Sequence, residues 1–306
     1  MAQRPALVDT VEDTHLLQED LNKIYAWAEQ NNMVFNESKF EVLRYGRNTT
    51  IKEVTQYRTK QGAIAMKNSL RDLGVVMDSE GTYSLHITSI SETAKRMVGW
   101  ILRTFSTRDE QPMLTLWKSL VLPKLEYCCQ LWSPDSIGEI QELEAVQRTF
   151  TSRISSVKHL DYWERLKHLR LYSLQRRRER YQIIYTWKIL EGLVPNVGIT
   201  LSQNRTRGRT CYIKGLISNC PGIKTLRSSS FMRNGPRLFN SLPPHLKNMS
   251  SCTVEAFKVK LDAFLQKIDD TPPVPSYHTW PHYNKLVNCI PPQMRQLGGS
   301  SGSPCS

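Results

Sequence analysis

The chain has 306 residues, of which 40% are hydrophobic and 23% charged, and carries a formal net charge of +13. These are globular proportions, with length enough for two domains or one elongated one. There is no run of about eighteen apolar residues, acids stand where a signal peptide would be apolar (MAQRPALVDTVEDT), and seven irregularly spaced cysteines argue against a disulfide framework, so a soluble, intracellular protein of cytoplasm or nucleus is expected.

In chain order, Leu17, Leu21, Ile24 and Ala28 repeat at helical spacing, with Thr10 to Asp13 placed to cap the start and Asn31-Asn32 to close it. Met33 to Gly46 then alternates and predicts a hairpin turning near Asn36-Glu37-Ser38. Short strands are expected over 54–66 and 70–77, around Gly62 and Gly74. Leu85, Ile90, Ala94, Met97, Ile101 and Phe105 make the next amphipathic helix, with Lys95, Arg96 and Arg103 beside them.

The centre is Leu116 to Ile154. An apolar run is expected to stop at Pro123, ahead of an aromatic and cysteine cluster of Leu125, Tyr127, Cys128, Cys129, Leu131 and Trp132. Ser133 to Ser136 reads as a turn and helix start. Ile140, Leu143, Val146, Phe150 and Ile154 then line one helical face, with Arg148 on nearly the opposite side. From His159 to Asn196 two helices are expected. In the second, Arg176 and Arg180 share a side with Ile183 and Trp187, and Arg177 shares one with Tyr181 and Ile184. Such cations and aromatics can contact phosphates and stack on bases; equally, the rings can be core and the arginines cover its rim. Thr200 to Ser230 reads as a polar, basic run (RTRGRT) followed by two short strands, CYIKGLIS and IKTLRSSS. FMRNGPRLFNSLP and the helix of Val254, Phe257, Val259, Leu261, Phe264 and Leu265 complete a small C-terminal unit. The last 36 residues, with seven prolines, are expected to be disordered.

The charge is unevenly placed. Residues 1–144 carry 16 Lys/Arg against 20 Asp/Glu, 145–185 carry ten against three, and 192–254 carry nine against none. A phosphate-bearing partner would meet little local repulsion over the second half. A basic solubilising surface is the plainer alternative.

Several motifs stand in one order. Leu120-Val121-Leu122-Pro123-Lys124-Leu125-Glu126-Tyr127-Cys128 is followed by Trp132-Ser133-Pro134 and by Leu143-Glu144-x-Val146-Gln147-Arg148-x-Phe150. Phe35-Asn36-x-x-Lys39 and Leu73-Gly74-Val75 precede them. Tyr162-Trp163-Glu164-Arg165-Leu166, Arg176-Arg177-Arg178 and Phe231/Arg233/Asn240/Leu242/Pro243 come after. From about residue 14 to about residue 265 this resembles the part of non-LTR (LINE-type, jockey-like) retrotransposon reverse transcriptases that lies after the catalytic carboxylates. The resemblance implies an α+β fold, mainly α: a palm remnant over 1–80, a thumb-like helical bundle over 81–196 that grips a primer–template duplex, a small basic module over 197–270, and the tail 271–306. It implies RNA or DNA as partner, with retrotransposon ribonucleoprotein components. Binding is expected at Arg148, Arg176, Arg177, Arg180, Trp187, Arg205, Arg207, Arg209 and Arg233. Lys39 matches a palm lysine that in the family lies near the incoming triphosphate, though by itself it reads as a solvated turn residue.

The family enzyme holds two Mg²⁺ ions on carboxylates, and no cofactor is expected for this chain alone. Asp9-Thr10 stands where an aspartate pair would be expected, and Asp269-Asp270 runs towards prolines without a strand. His278, His282 and Cys289 offer ligand types without a framework, and the adjacent Cys128-Cys129 lack chelating spacing. The sequence therefore points to a nucleic-acid-binding segment without polymerase chemistry of its own. A domesticated helical protein-interaction module, or a piece of a longer active polymerase, are the alternatives.

Overall fold

The computed structural model describes residues 8, 10–45, 56–196, 199–204, 208–213, 231–270 and 285–290. They fall in two compact units, 1–85 and 86–306. The architecture is α+β and mainly α, and among the described residues every sheet has two strands.

In the first unit α1 spans Val11–Gln30. The Thr10 side chain accepts the Asp13 N–H at 3.2 Å, and the Asp13 carboxylate accepts the Thr10 N–H at 2.8 Å, satisfying orphan donors at both places. The helix closes through Asn31, then Asn32 at φ 54°, a conformation asparagine tolerates better than most residues. Among the described residues 33–45 the expected hairpin does not form. Tyr25, Phe35 and Phe40 instead gather three rings with centroids 5.2–5.8 Å apart, around a 3₁₀ turn at Glu37–Lys39. Burying those rings outweighs the local alternation. The next strand, β1 (Glu41–Leu43), pairs in parallel with β4 (Ala65–Lys67), so its partner lies some twenty residues downstream. Between them β2 (Arg58–Thr59) and β3 (Gly62–Ala63) make a minimal hairpin, tied to α1 by two Gln18–Arg58 hydrogen bonds of 2.8 and 2.9 Å. Finally β5 (Ser69–Asp72) and β6 (Val75–Asp78) are antiparallel. Their two-residue turn, Leu73-Gly74, has φ of 45° and 89°, the twist a tight hairpin needs.

The second unit begins with α2 (Ser84–Thr104). Its buried face is Ile87, Ser91, Ala94, Val98 and Ile101, and Leu85 is exposed. Only Ala94 and Ile101 belong to the expected stripe. Both sets have helical spacing, and the packing of His86 edge-on against Trp132, centroids 5.3 Å apart, goes with the observed one. Pro123 does not end the next element. α3 (Glu110–Leu116) runs through a π-helical turn, Trp117–Val121, into α4 (Leu122–Glu126). The wider turn accommodates a residue with no N–H, whose ring would press on the i−4 carbonyl in α geometry.

After α5 (Cys129–Trp132) the chain turns at Ser133–Ser136 into α6 (Ile137–Thr151). Ile140, Leu143, Val146, Phe150 and Ile154 are all buried, as their spacing predicts. Trp132, Cys129 and Leu125 are buried too, with the indole N–H donating to the Tyr127 carbonyl at 2.7 Å; Tyr127 and Leu131 face solvent. α7 (Tyr162–His168) starts with a second capping box, Asp161 and Glu164, and Ser173 caps α8 (Leu174–Leu190).

α8 packs against elements from both earlier and later in the chain. Ile183, Ile184 and Trp187 share one core with Leu238, Phe239, Phe257, Leu261 and Leu265. α9 (Phe231–Asn240) crosses α8 closely: a Cβ on Gly235 would stand 2.5 Å from Thr186 Oγ1. α10 (Pro244–Lys247) and α11 (Val254–Leu265) close the group, with Val259 turned outward. β7 (Ile199–Asn204) and β8 (Gly208–Ile213) form an antiparallel pair that takes in only Cys211 to Ile213 of the expected strands; the rest of these, 214–218 and 223–230, lies outside the described residues. The tail expected to be disordered is docked in part. α12 (Leu286–Cys289) buries Leu286, followed by buried Ile290, while 271–284 and 291–306 lie outside the described residues. Two apolar side chains four residues apart outweigh a proline-rich composition.

Candidate nucleic-acid interface

α8 opens with QRRRER, and its cations point into the protein. Arg176 is fully buried. Its Nη2 donates to the Asp269 carbonyl at 3.1 Å, and its Nε lies 3.6 Å from Asp270 and 3.8 Å from Glu179. Arg177 makes a bidentate pair with Glu126, whose second contact is 3.0 Å. Burial works against that charge, but the Glu126 carboxylate outweighs it and the pKa is raised. Arg180 pairs with Asp262 in the same way, Nη2 to Oδ2 at 2.7 Å. Trp187 is fully buried, stacked on Phe257 at 4.6 Å with planes 8° apart, and its N–H donates to the Met249 carbonyl at 2.8 Å. The expectation that Arg176, Arg177, Arg180 and Trp187 meet phosphates and bases is therefore corrected. They tie α8 to α4, to α11 and to the segment after it. A pattern of cation and ring at helical spacing is the same for a binding face and for a satisfied core, and only the positions of Glu126, Asp262, Asp270 and Phe257 separate the two.

Arg148 does face outward, with its guanidinium carbon 4.8 Å from the Tyr162 ring centroid. Arg233 is exposed on α9 and Lys39 is exposed at the end of its 3₁₀ turn. Arg205 and Arg207 lie outside the described residues, as does the side chain of Arg209, whose backbone is in β8. Arg153, Lys158, Lys167 and Arg170, not singled out from the sequence, are exposed as well. With Arg148 they belong to the corner from the end of α6 to the end of α7. Buried Arg165 fastens that corner by donating to the Leu160 carbonyl at 2.8 Å and to the Thr151 hydroxyl at 3.3 Å. The signal available beforehand was the excess of bases over 145–185, which says nothing of which ones face out.

Behind the corner is a buried polar layer. Glu144 accepts from the Tyr162 hydroxyl and from the Gln175 N–H, the latter at 2.9 Å. Burial raises the Glu144 pKa, with Arg178 opposing, and burial together with Glu144 raises Tyr162 well above the usual phenol value. Burial likewise pushes Glu179 up to about 7 against the pull of Arg176, and the Cys129 thiol up to about 12.

Among the described residues no three His, Cys, Asp or Glu stand where one ion would be held. Asp270 instead accepts from the Ser173 N–H at 2.6 Å and from its hydroxyl at 2.9 Å. No catalytic step is assigned to Asp269-Asp270.

With that geometry in view, the class of relative is an RNA-directed DNA polymerase of transposable elements. The chain is 26% identical over 136 residues to the probable RNA-directed DNA polymerase from transposon X-element of Drosophila melanogaster, covering 43% of this chain and 14% of that protein. To the RNA-directed DNA polymerase from mobile element jockey of Drosophila funebris it is 22% identical over 148 residues, covering 47% and 16%. An uncharacterized Caenorhabditis elegans protein is 28% identical over 133 residues, covering 42% and 67%. The curated homologues thus include polymerases of non-LTR elements, and the matches span about a sixth of their length or less. No protein-family model matches the chain, and no solved structure does. No helix among the described residues is long and apolar enough to cross a membrane.

Proposed function

We propose that this chain is a reverse-transcriptase-related segment that binds RNA or DNA through phosphate contacts and does not polymerise by itself. In this reading residues 1–80 correspond to a palm remnant, 81–196 to a thumb-like bundle and 197–270 to a basic module. The observation that supports it most is the homology to two RNA-directed DNA polymerases, joined to a surplus of bases beyond residue 144. The phosphate-binding surface is the exposed corner of Arg148, Arg153, Lys158, Lys167 and Arg170, with exposed Arg233 as a further contact and Arg205, Arg207 and Arg209 added on sequence alone. Retrotransposon ribonucleoprotein components are the natural partners of such a segment.

The test is a mobility shift with RNA and duplex DNA across a salt series. If roughly 4–6 cations touch phosphates, log K falls against log salt with a slope of about −3 to −5. Changing the five corner residues to glutamine flattens the slope by about one unit per lost contact, equally for every sequence. A salt-insensitive complex would overturn the reading in favour of a protein-interaction module.

A further inference from the structure

We propose that the cleft between α8, α9 and the docked α12 is a binding site for a single oxyanion of the phosphate class, held by Arg178 with Arg237 at its mouth. Arg178 is 2% exposed, and Nε, Nη1 and Nη2 all lack a hydrogen-bond partner among the described residues. Its neighbours on α8 differ: Arg176 donates to a backbone carbonyl, and Arg177 and Arg180 to carboxylates. A guanidinium carries five donors and stays charged, so burying it without acceptors is costly. One turn further on, Gln182 Oε1 is also buried without a partner among the described residues. Both side chains line one cleft, which has room of about 30 Å³ for the centres of water-sized groups. One water needs about 10–15 Å³ by that measure, so the space suits a phosphate group and is too small for a nucleoside.

The other charges around the cleft are already committed. Asp135 is ion-paired with Lys285. Glu179 accepts the Leu286 N–H at 3.0 and 3.2 Å and lies 3.8 Å from Arg176. Glu144 attracts Arg178 electrostatically, but its oxygens accept from Tyr162 and Gln175 rather than from the guanidinium. Arg178 therefore offers donors with no acceptor among the described residues, exposed Arg237 adds a second cation, and Gln182 offers an acceptor suited to the P–OH of hydrogen phosphate. The site is separate from the exposed corner proposed for nucleic acid.

The experiment is equilibrium dialysis of inorganic phosphate against the full chain at constant ionic strength in chloride. One saturable site is expected. Arg178→Met should abolish it. Because that change also leaves Glu144 without its nearby cation, Arg237→Gln is the second variant: it lies at the surface and should weaken binding by about tenfold. Competition by an oligonucleotide carrying a 5′-phosphate, but not by its unphosphorylated twin, would support the site and assign it to a strand end. Saturable binding that neither oligonucleotide displaces would support it as a site for the free ion. No saturable phosphate binding, or binding indifferent to Arg237→Gln, would overturn the proposal. Failure of the salt-dependent mobility shift would leave this result standing, since the two use different residues.

Discussion

Trp187→Ala separates a base-stacking indole from a core one. The ring is fully buried, lies 4.6 Å from Phe257 in a nearly parallel stack, and donates to the Met249 carbonyl at 2.8 Å. Truncating such a side chain costs about 3–5 kcal/mol in transfer and cavity terms. The Met249 carbonyl also loses its indole donor, which adds about 1 kcal/mol. For a unit of this size each kcal/mol lowers Tm by about 2–4 °C, so the melting transition should fall by about 8–24 °C. Phe257→Leu removes the stacking partner but keeps much of the volume, and should cost less. Circular dichroism melts of both variants give the stability, and mobility shifts well below the new Tm give single-strand affinity. An unchanged Tm together with binding weaker by about 1–3 kcal/mol would refute the core assignment and return the indole to a stacking role.

Deleting residues 285–306 removes buried Leu286 and Ile290, each worth about 1.5–3 kcal/mol, and takes from Glu179 its Leu286 N–H partner; the urea midpoint should drop clearly, and an unmoved midpoint would show that α12 contributes nothing. Glu179 titrates near 7 when folded, above its unfolded value, so its share of stability is fully present below the unfolded pKa and is lost as pH rises through about 7. From 4.5 to about 7 that is about 3 kcal/mol, and stability curves of Glu179→Gln should lack this decline; an identical pH profile would sink the assignment. In primer extension with Mg²⁺ or Mn²⁺ the chain should incorporate no nucleotide, and Lys39→Ala should change nothing; template-dependent incorporation by the purified chain would contradict the proposed function.

Much of the helical framework was readable in the sequence because its signals are local. Thr10 and Asp13 cap α1, Asn31-Asn32 close it, and Ser133 to Ser136 start α6 through backbone groups within a few residues. The face from Ile140 to Ile154 follows from helical period alone, and all five of its side chains are buried. The turn at Gly74 required positive φ wherever the hairpin sat in the fold. The resemblance to non-LTR polymerases was likewise carried by motif order.

What tertiary structure decided are the choices local patterns leave degenerate. Two helical stripes fit α2, and neighbours such as Trp132 selected the one through Ile87 and Val98. Residues 33–36 alternate like a strand but give up pairing to close an aromatic cluster with Tyr25. Composition marked 285–290 as part of a disordered tail, yet Leu286 and Ile290 fill a core built by α8, α9 and α11. The arginines of α8 show the limit most clearly. An outward cation and an inward one have the same letter and spacing, and what separates them is whether a carboxylate some fifty to ninety residues away arrives within ion-pair reach. Glu126, Asp262 and Asp270 arrive for Arg177, Arg180 and Arg176; for Arg178 no acceptor among the described residues does, because the folded positions of those acids, which helical period does not encode, set where charge is neutralised and where the proposed oxyanion would complete it.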